Sequence, residues 1–550
     1  MRKFHAAHFS AFALAALVIL PAAARADSNS LVLINASTGP IANFTGKNVN
    51  VGMIEDDLPA TNNLSLGNIP FMGNFSTAAV VTVGSHATEV AGIITSTNPA
   101  VPGVAPGSTL FAVQSADATS STDADRTNLV SAAFFLVTNK QVQVINLSMR
   151  TAIPGTNTTG TDYGSRGLDG LIAQTGVTIV KAAGNLGRNG TNTITEPGAA
   201  FNIITVGAVN NALAGSQTNV AAYSSQGFLA DGRSEPDIVA PGGSGSVASP
   251  TPPPVDNLIL NTTNNPAAGG GPFNATTTNS AGTSFAAPHV VGVVARLDQV
   301  AQSLTGVFTN PATAAHAQDS RVIKAVLMNS ATKLPGWNQQ GTTTNGGVIN
   351  VVHPLDPIQG SGLLNAGQSY LQLAAGQYDP TIRPGITMTA TNPFVPLTGW
   401  DLDNVGTPSG LRSSVTNTYQ LNQLVAGAVS LTLDWNRDID TAANNFNVLG
   451  LANLDLSLWS SPNSAFTNVS LYAKSVSSVD NLQQLYFTNL PSAYYEVSVD
   501  FSNYVAGTGT TPLSVTYALA WNFTVPEPST LLLAMMGLAM MLRLGRRRRP

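Results

Sequence analysis

The 550-residue sequence predicts an α/β unit, a parallel sheet flanked by helices, followed by an antiparallel β-sandwich. Three observations carry this. Between about residues 45 and 375, short apolar runs that end in polar residues alternate with helix-length segments of small and apolar residues. Strands alternating with helices form a parallel sheet. From about residue 380 the pattern changes to period-2 alternation between Asn/Ser/Gly turns, the mark of a sandwich with buried inner faces. The length itself exceeds the usual domain prior of roughly 100–200 residues.

Composition narrows the classes. Charged residues make up 10% of the chain, against roughly 25% in an average soluble protein. Residues 27–524 hold 16 basic and 28 acidic side chains, whereas both ends are positive. That body has no basic face for nucleic acid. The absence of cysteine excludes a disulfide framework, a thiolate metal site and a cysteine nucleophile.

The elements follow in chain order. Residues 1–26 open with Arg2 and Lys3, continue in an apolar run from Ala11 to Leu20 and close with Ala24-Arg25-Ala26. This is the pattern of a secretory signal peptide cleaved after Ala26. The run is short for a membrane anchor, which needs about 20 apolar residues. Residues 49–54 form an apolar strand before Glu55-Asp56-Asp57, and the segment Gly84 to Gly92 suits a helix beginning near His86. Val142 to Leu147 and Val177 to Ala183 are further strands, the second ending in Gly184-Asn185. Residues 244–280 are a polar, Gly/Pro-rich surface loop, and a helix runs from the Gly282–Gly292 segment to about Ala301. Arg321 to Leu334 reads as a closing helix, and Gly360 to Ala366 as the turn and helix that end this unit. Alternation then marks Val429 to Trp435, Leu454 to Leu458, Val497 to Phe501 and Val515 to Trp521 as strands. The expected division is 1–26, 27–378, 379–524 and 525–550.

Five segments, in order, carry a resemblance to a family. Gly282-Thr283-Ser284-Phe285-Ala286-Ala287-Pro288-His289-Val290-Val291-Gly292 resembles the serine motif of the subtilisin-like serine proteases, peptidase family S8. His86 to Gly92 is similar to the family's histidine motif, with Ala87 and Glu89 as departures. Ala182 to Asn185 resembles the oxyanion motif, residues 144–148 the substrate-binding strand, and residues 237–243 the segment preceding the serine. The resemblance implies a subtilisin-like parallel sheet and a serine-type endopeptidase acting on proteins or peptides. Serine needs an adjacent imidazole to take its proton. It implies Ser284 as nucleophile, His86 as general base and then acid, and Asn185 as oxyanion donor. Ser148, Met149, Arg150 and Gly184 are the implied substrate-binding residues. Ser284 alone would also fit a helix cap. His289 reads as a packed structural histidine, and His316 and His353 have no assigned role.

The third triad member departs from the family. Counting from the apolar run, Glu55 stands where the family has aspartate, and Asp56 follows it. Alternating side chains cannot both face His86 without a bulge, and register favours Glu55. Arg150 stands where the family usually has glycine. Directed into the first specificity pocket, it favours acidic or small residues before the scissile bond; directed to solvent, it does nothing there. No cofactor is expected. The Gly92–Gly103 stretch is shorter than the calcium-binding loop of many subtilisins, which argues against calcium without removing it. Only 28 residues separate Ala26 from Glu55, which leaves no room for an inhibitory prodomain. These departures keep open a second class, a pseudoprotease acting as a surface or matrix adhesion protein.

The far end reads Val525-Pro526-Glu527-Pro528, an apolar run from Leu531 to Leu542 and an arginine cluster. It resembles a PEP-CTERM sorting signal. That implies an exosortase-type partner, transient membrane residence through residues 531–544 and export to the envelope or matrix of a Gram-negative bacterium. Residues 453–461 and 478–499 resemble the bacterial pre-peptidase C-terminal domain, here a spacer or a matrix-binding unit.

Overall fold

The computed structural model describes residues 29–63, 65–76, 83–99, 101–115, 123–149, 158–210, 218–243, 281–303, 311–382, 394–407, 415–442 and 445–524. The expected signal peptide, Arg150, the 244–280 loop and the sorting signal lie outside the described residues.

The first unit is built on β1 (Asn50–Glu55), β2 (Asn68–Asn74), β3 (Thr109–Gln114), β4 (Val144–Leu147), β5 (Thr178–Ala182) and β6 (Ile204–Val209). A small hairpin, β7 (Gly227–Phe228) and β8 (Ser234–Glu235), precedes β9 (Ile238–Pro241). The main sheet is parallel, in the order β2-β3-β1-β4-β5-β6-β9. Its helices are α1 (Asn29–Leu33), α2 (Ser85–Thr95), α3 (Asp123–Lys140), α4 (Tyr163–Thr175), α5 (Thr283–Ser303), α6 (Pro311–Ala317), α7 (Ser320–Asn329) and α8 (Ala366–Ala374).

Strand alternation decides which face each residue serves. Val51, Met53, Val144, Val180 and Ala182 pack with α2 and α5 in one core. Ile54, Ile145, Leu147 and Ile179 pack with α3 and α4 in the other. Both faces are covered, so the strands read as continuous apolar runs. After β1 the chain builds β2 and β3 on one side and then crosses to β4 on the other. The carboxyl ends of β1 and β4 therefore flank a switch in strand order, the place where open parallel sheets form a crevice.

The C-terminal unit comprises β10 (Thr343–Asn345), β11 (Val348–Val351), β12 (Thr398–Gly406), β13 (Thr416–Gln420), β14 (Val425–Trp435), β15 (Asp438–Ile439), β16 (Val448–Ser461), β17 (Ser470–Ser475), β18 (Leu482–Ala506) and β19 (Ser514–Thr524). The pairing is antiparallel except between β11 and β17. The 25-residue β18 serves two layers. Leu482–Ala493 pairs with β14, and residues 494–506 pair with β16. The alternating residues named from sequence, with Trp435, Trp521, Tyr495 and Tyr517, fill the core between the layers.

Two differences from the sequence expectation concern boundaries. The β10–β11 hairpin, turned by Asn345-Gly346-Gly347, joins the C-terminal sheet although it precedes residue 379. β10 is polar and three residues long and β11 only four, so neither registers as a strand on its own. The helix expected to reach Leu334 ends at Asn329, because Thr332 leaves it to bridge to Leu363.

Candidate active site

Glu55 continues the parity of Val51 and Met53, so its side chain leaves β1 on the side of α2 and α5. It is buried, and its Oε2 lies 3.1 Å from His86 Nδ1 on the first turn of α2. The other carboxylate oxygen accepts from Asn146 Nδ2 at 3.3 Å. Asn146, on β4, also donates to Ser148 Oγ at 3.0 Å. The imidazole is 42% exposed in its side chain, packed on one side against Phe285.

Ser284 lies in the first turn of α5. Four residues on, Pro288 has no N–H, so the Ser284 carbonyl loses its helical partner. Ser148 Oγ fills that role, donating to Ser284 O at 2.8 Å. In return Ser284 Oγ donates to the Ser148 carbonyl at 3.1 Å. This reciprocal pair ties the start of α5 to the end of β4. Asn185 follows β5; its Oδ1 accepts from Thr283 N at 2.9 Å and from Thr283 Oγ1 at 3.1 Å, which fixes the amide at the start of α5. Gly184 holds a positive φ of 112°, and a Cβ there would stand 2.5 Å from Thr195. Glycine is needed on both counts.

One cleft of about 470 Å³ is lined by His86, Ser148, Met149, Gly184, Asn185 and Ser284, together with Asp56, Asp57, Lys181 and Thr195. The structure thus brings together the described site residues named from sequence; Arg150 lies outside the described residues. Glu55 reaches His86, whereas Asp56 lines the cleft.

Sequence reasoning missed four contributors. Asp57 accepts from Ala87 N at 3.2 Å and fills the space over Gly84, where a Cβ would stand 1.1 Å from Asp57 Oδ2. Its signal was the run of three acids. Asn146 lay inside the resembling strand. Lys181 was the single charge in an apolar strand. Thr195 joins the site through its pairing with Ala183 and its packing over Gly184.

Electrostatics follow from this placement. Burial alone pulls the His86 pKa down, but the Glu55 hydrogen bond and the charges of Glu55, Asp57 and Glu89 outweigh it and raise it to about 9. Burial, then repulsion by Glu55, raises Asp57. His289 is different: buried on α5 with Nδ1 2.8 Å from Phe285 O, it is pushed by burial down to about 4 and stays neutral. Among the described residues, no group of three or more His, Asp or Glu side chains is arranged to hold a metal ion.

A parallel sheet whose crevice carries a serine, a histidine held by a carboxylate and an exposed asparagine amide defines a serine-type endopeptidase. The sequence profile of the subtilase family matches residues 73–348, and that of the PEP-CTERM protein-sorting motif matches residues 524–549. The chain belongs to the subtilase family. It is 31% identical to subtilisin of Bacillus pumilus over 260 residues, covering 46% of this chain and 77% of that one. It is 30% identical to subtilisin E of Bacillus subtilis over 260 residues, spanning 56% of that protein's length. Among solved structures, the prenylagaramide maturation protease PagA aligns with 20% identity and a TM-score of 0.42, over 62% of this chain and 98% of that one. The subtilase match begins beyond Glu55, the position where the sequence departs from the family.

Proposed function

We propose that the protein is an exported endopeptidase that cleaves peptide bonds through an acyl-enzyme on Ser284. The observation that carries this reading is the 3.1 Å contact of His86 Nδ1 with Glu55, made in the cleft that Ser284 and Asn185 also line. With Nδ1–H directed at Glu55, Nε2 is left to accept a proton. Ser284 Oγ leaves the Ser148 carbonyl and attacks the scissile carbon while its proton passes to His86 Nε2. Asn185 Nδ2 donates to the oxyanion. The same proton goes to the departing amine, and a water activated by His86 then hydrolyses the ester. Asn146 is a positioning residue: its hold on one Glu55 oxygen leaves the other for the imidazole.

The signal-peptide pattern of residues 1–26 and the matched motif at 524–549 support export, transient membrane residence and recognition by an exosortase-type enzyme at the envelope. Family membership sets this reading above that of an inactive adhesion protein.

Fluorophosphonate labelling of the full chain tests the chemistry. The expected result is labelling of the wild type and none of Ser284→Ala. A folded wild type that resists the probe would return the protein to the pseudoprotease reading. Among labelled proteins, Glu55→Gln should lose activity by up to about 10⁴ in kcat, the scale seen when a triad carboxylate loses its charge, while Asp56→Asn should lose far less.

A further inference from the structure

A second cleft, of about 530 Å³, lies between the two units. Ala173 in the last turn of α4 and Arg321 in the first turn of α7 line it on the α/β side. Asn436, Asp438, Tyr504 and Ser514 line it on the side of the C-terminal sheet. The chain passes from the end of α4 at Thr175 to the start of β5 at Thr178, so this cleft lies by the amino end of the strand. The catalytic cleft forms at the carboxyl ends of β1, β4 and β5. The two openings therefore sit at opposite ends of the parallel sheet.

What the second cleft offers follows from which of its groups are already engaged. Arg321 is held by Asp319 through two hydrogen bonds of 2.8 Å, and Arg437 by Asp169 and the Gly160 carbonyl. Both guanidinium groups are thus paired with carboxylates, and Asp438 would repel an anion. The Asn436 amide and the hydroxyls of Thr510 and Ser514 have no hydrogen-bond partner among the described residues. Asp438 Oδ2 accepts from Tyr504 OH at 3.1 Å, and its Oδ1 has no partner among the described residues. The Tyr504 ring rests on Gly450, where a Cβ would stand 2.4 Å from Tyr504 Cζ. Tied by its hydroxyl and backed by a glycine, the ring is fixed while part of it stays open to the cleft. Leu449 and Pro512 extend the apolar surface beside it.

A fixed aromatic ring, an open amide, two hydroxyls and one carboxylate oxygen suit an uncharged, polyhydroxylated ligand. A sugar ring has a C–H face that packs on an aromatic side chain and a rim of hydroxyls that both donate and accept. The volume falls in the range of roughly 300–1,000 Å³ of small-ligand sites, which favour the boundary between domains. We propose that this cleft binds a neutral carbohydrate, one sugar ring stacking on Tyr504 and its hydroxyls meeting Asn436 and Asp438. A ligand bound there leaves the catalytic cleft open, so the chain can be held on a polysaccharide while Ser284 faces a protein substrate. The proposal goes beyond the endopeptidase reading and does not depend on it.

The test is calorimetric titration of the full chain, as Ser284→Ala to prevent self-cleavage, with cellotetraose, maltotetraose and mannotetraose. Tetragalacturonate and a Gly/Pro-rich peptide serve as comparators. Saturable binding of a neutral tetrasaccharide is expected, with neither comparator binding at the same concentration. Tyr504→Ala and Asn436→Ala should each weaken it by about tenfold, the scale of one lost stacking or hydrogen-bonding contact. Tyr504→Phe keeps the ring and should bind within a few-fold of the parent. Failure of all three neutral sugars to bind overturns the proposal. So does tighter binding of the acidic sugar or the peptide, or binding that survives both alanine variants. If those variants do not fold, hydrogen exchange of the wild type decides it: the sugar should slow exchange in residues 436–439 and 504–516, and protection confined to the catalytic cleft refutes the site. Fluorophosphonate labelling of the wild type should keep its rate under saturating sugar; suppression would place the sugar in the catalytic cleft instead. A wild type that binds sugar yet resists the probe defeats the endopeptidase reading alone.

Discussion

At the residue scale, the site depends on atoms that lose one partner and gain another. Pro288 frees the Ser284 carbonyl, Ser148 takes it, and the exchange holds α5 against β4. Three carboxylates act on His86, and the consequence is a pH dependence. A general base must be neutral. With its pKa raised to about 9, His86 is protonated at pH 7 in the free enzyme. We therefore expect kcat/KM to rise through pH 9 rather than level off near neutrality. Asp57→Asn should move that inflection to lower pH, because one of the charges favouring imidazolium is removed. An inflection that stays in place would show that Asp57 exerts no field at the ring. The sign for stability is opposite: protonated His86 stabilises the folded state fully below its unfolded pKa, and that contribution is lost as pH rises through about 9.

At the element scale, two parities and one helix decide the site. β1 places Glu55 on the face of Val51 and Met53, and β5 places Lys181 on the opposite face from Val180 and Ala182. The α5 helix is buried along most of its length. It lies so close to the loop after α2 that a Cβ on Gly292 would stand 2.4 Å from Val104 Cβ. Glycine-to-alanine in a helix gains about 1 kcal/mol of propensity. Overpacking costs typically 1–3 kcal/mol, and here the clash falls on a Cβ anchored to its backbone. Gly292→Ala should therefore lower Tm, and by displacing α5 from the Ser148–Ser284 exchange it should lower kcat more than it changes KM. A thermal melt and a kinetic pair of measurements check both.

At the scale of the whole molecule, the C-terminal sheet is joined to the α/β unit by buried polar contacts. Arg437 pairs with Asp169 beneath α4, Asn481 Nδ2 donates to Phe201 O at 2.9 Å, and Ser430 Oγ to Asn329 O at 3.0 Å. β11 takes its partner β17 from beyond residue 379. Residues 27–378 alone would uncover α7 and leave β11 without that partner. We expect this fragment to lack a cooperative melt, and the full chain to unfold with the two units together. Arg437→Ala leaves the Asp169 carboxylate buried without its cation, a change that costs about 3–5 kcal/mol when a buried pair is broken. Denaturant unfolding measures it. In cells, mass spectrometry of the mature protein should find a first residue of Asp27 and loss of the segment after the Pro-Glu-Pro sequence; a retained tail would count against sorting by cleavage.

Much of this was legible in one dimension. Apolar runs fully buried on both faces, the short motifs around His86, Asn185 and Ser284, and the alternation of the C-terminal strands all depend on local spacing, so the chain states them directly. Glu55 over Asp56 was legible as parity, a property of the strand itself. Asp57, Asn146, Lys181 and Thr195 were not, since each acts through a neighbour brought up from a distant segment. The β10–β11 hairpin escaped for the same reason: its pairing energy lies in β17, more than 100 residues on. Sequence alone determined the family and most of the elements and named the candidate site residues, because these follow from residue type and period. Only the tertiary structure decided which carboxylates face His86, which side chains line the cleft and how the units join. Those depend on distances between segments, and a Coulomb or hydrogen-bond energy has no value until the distance is known.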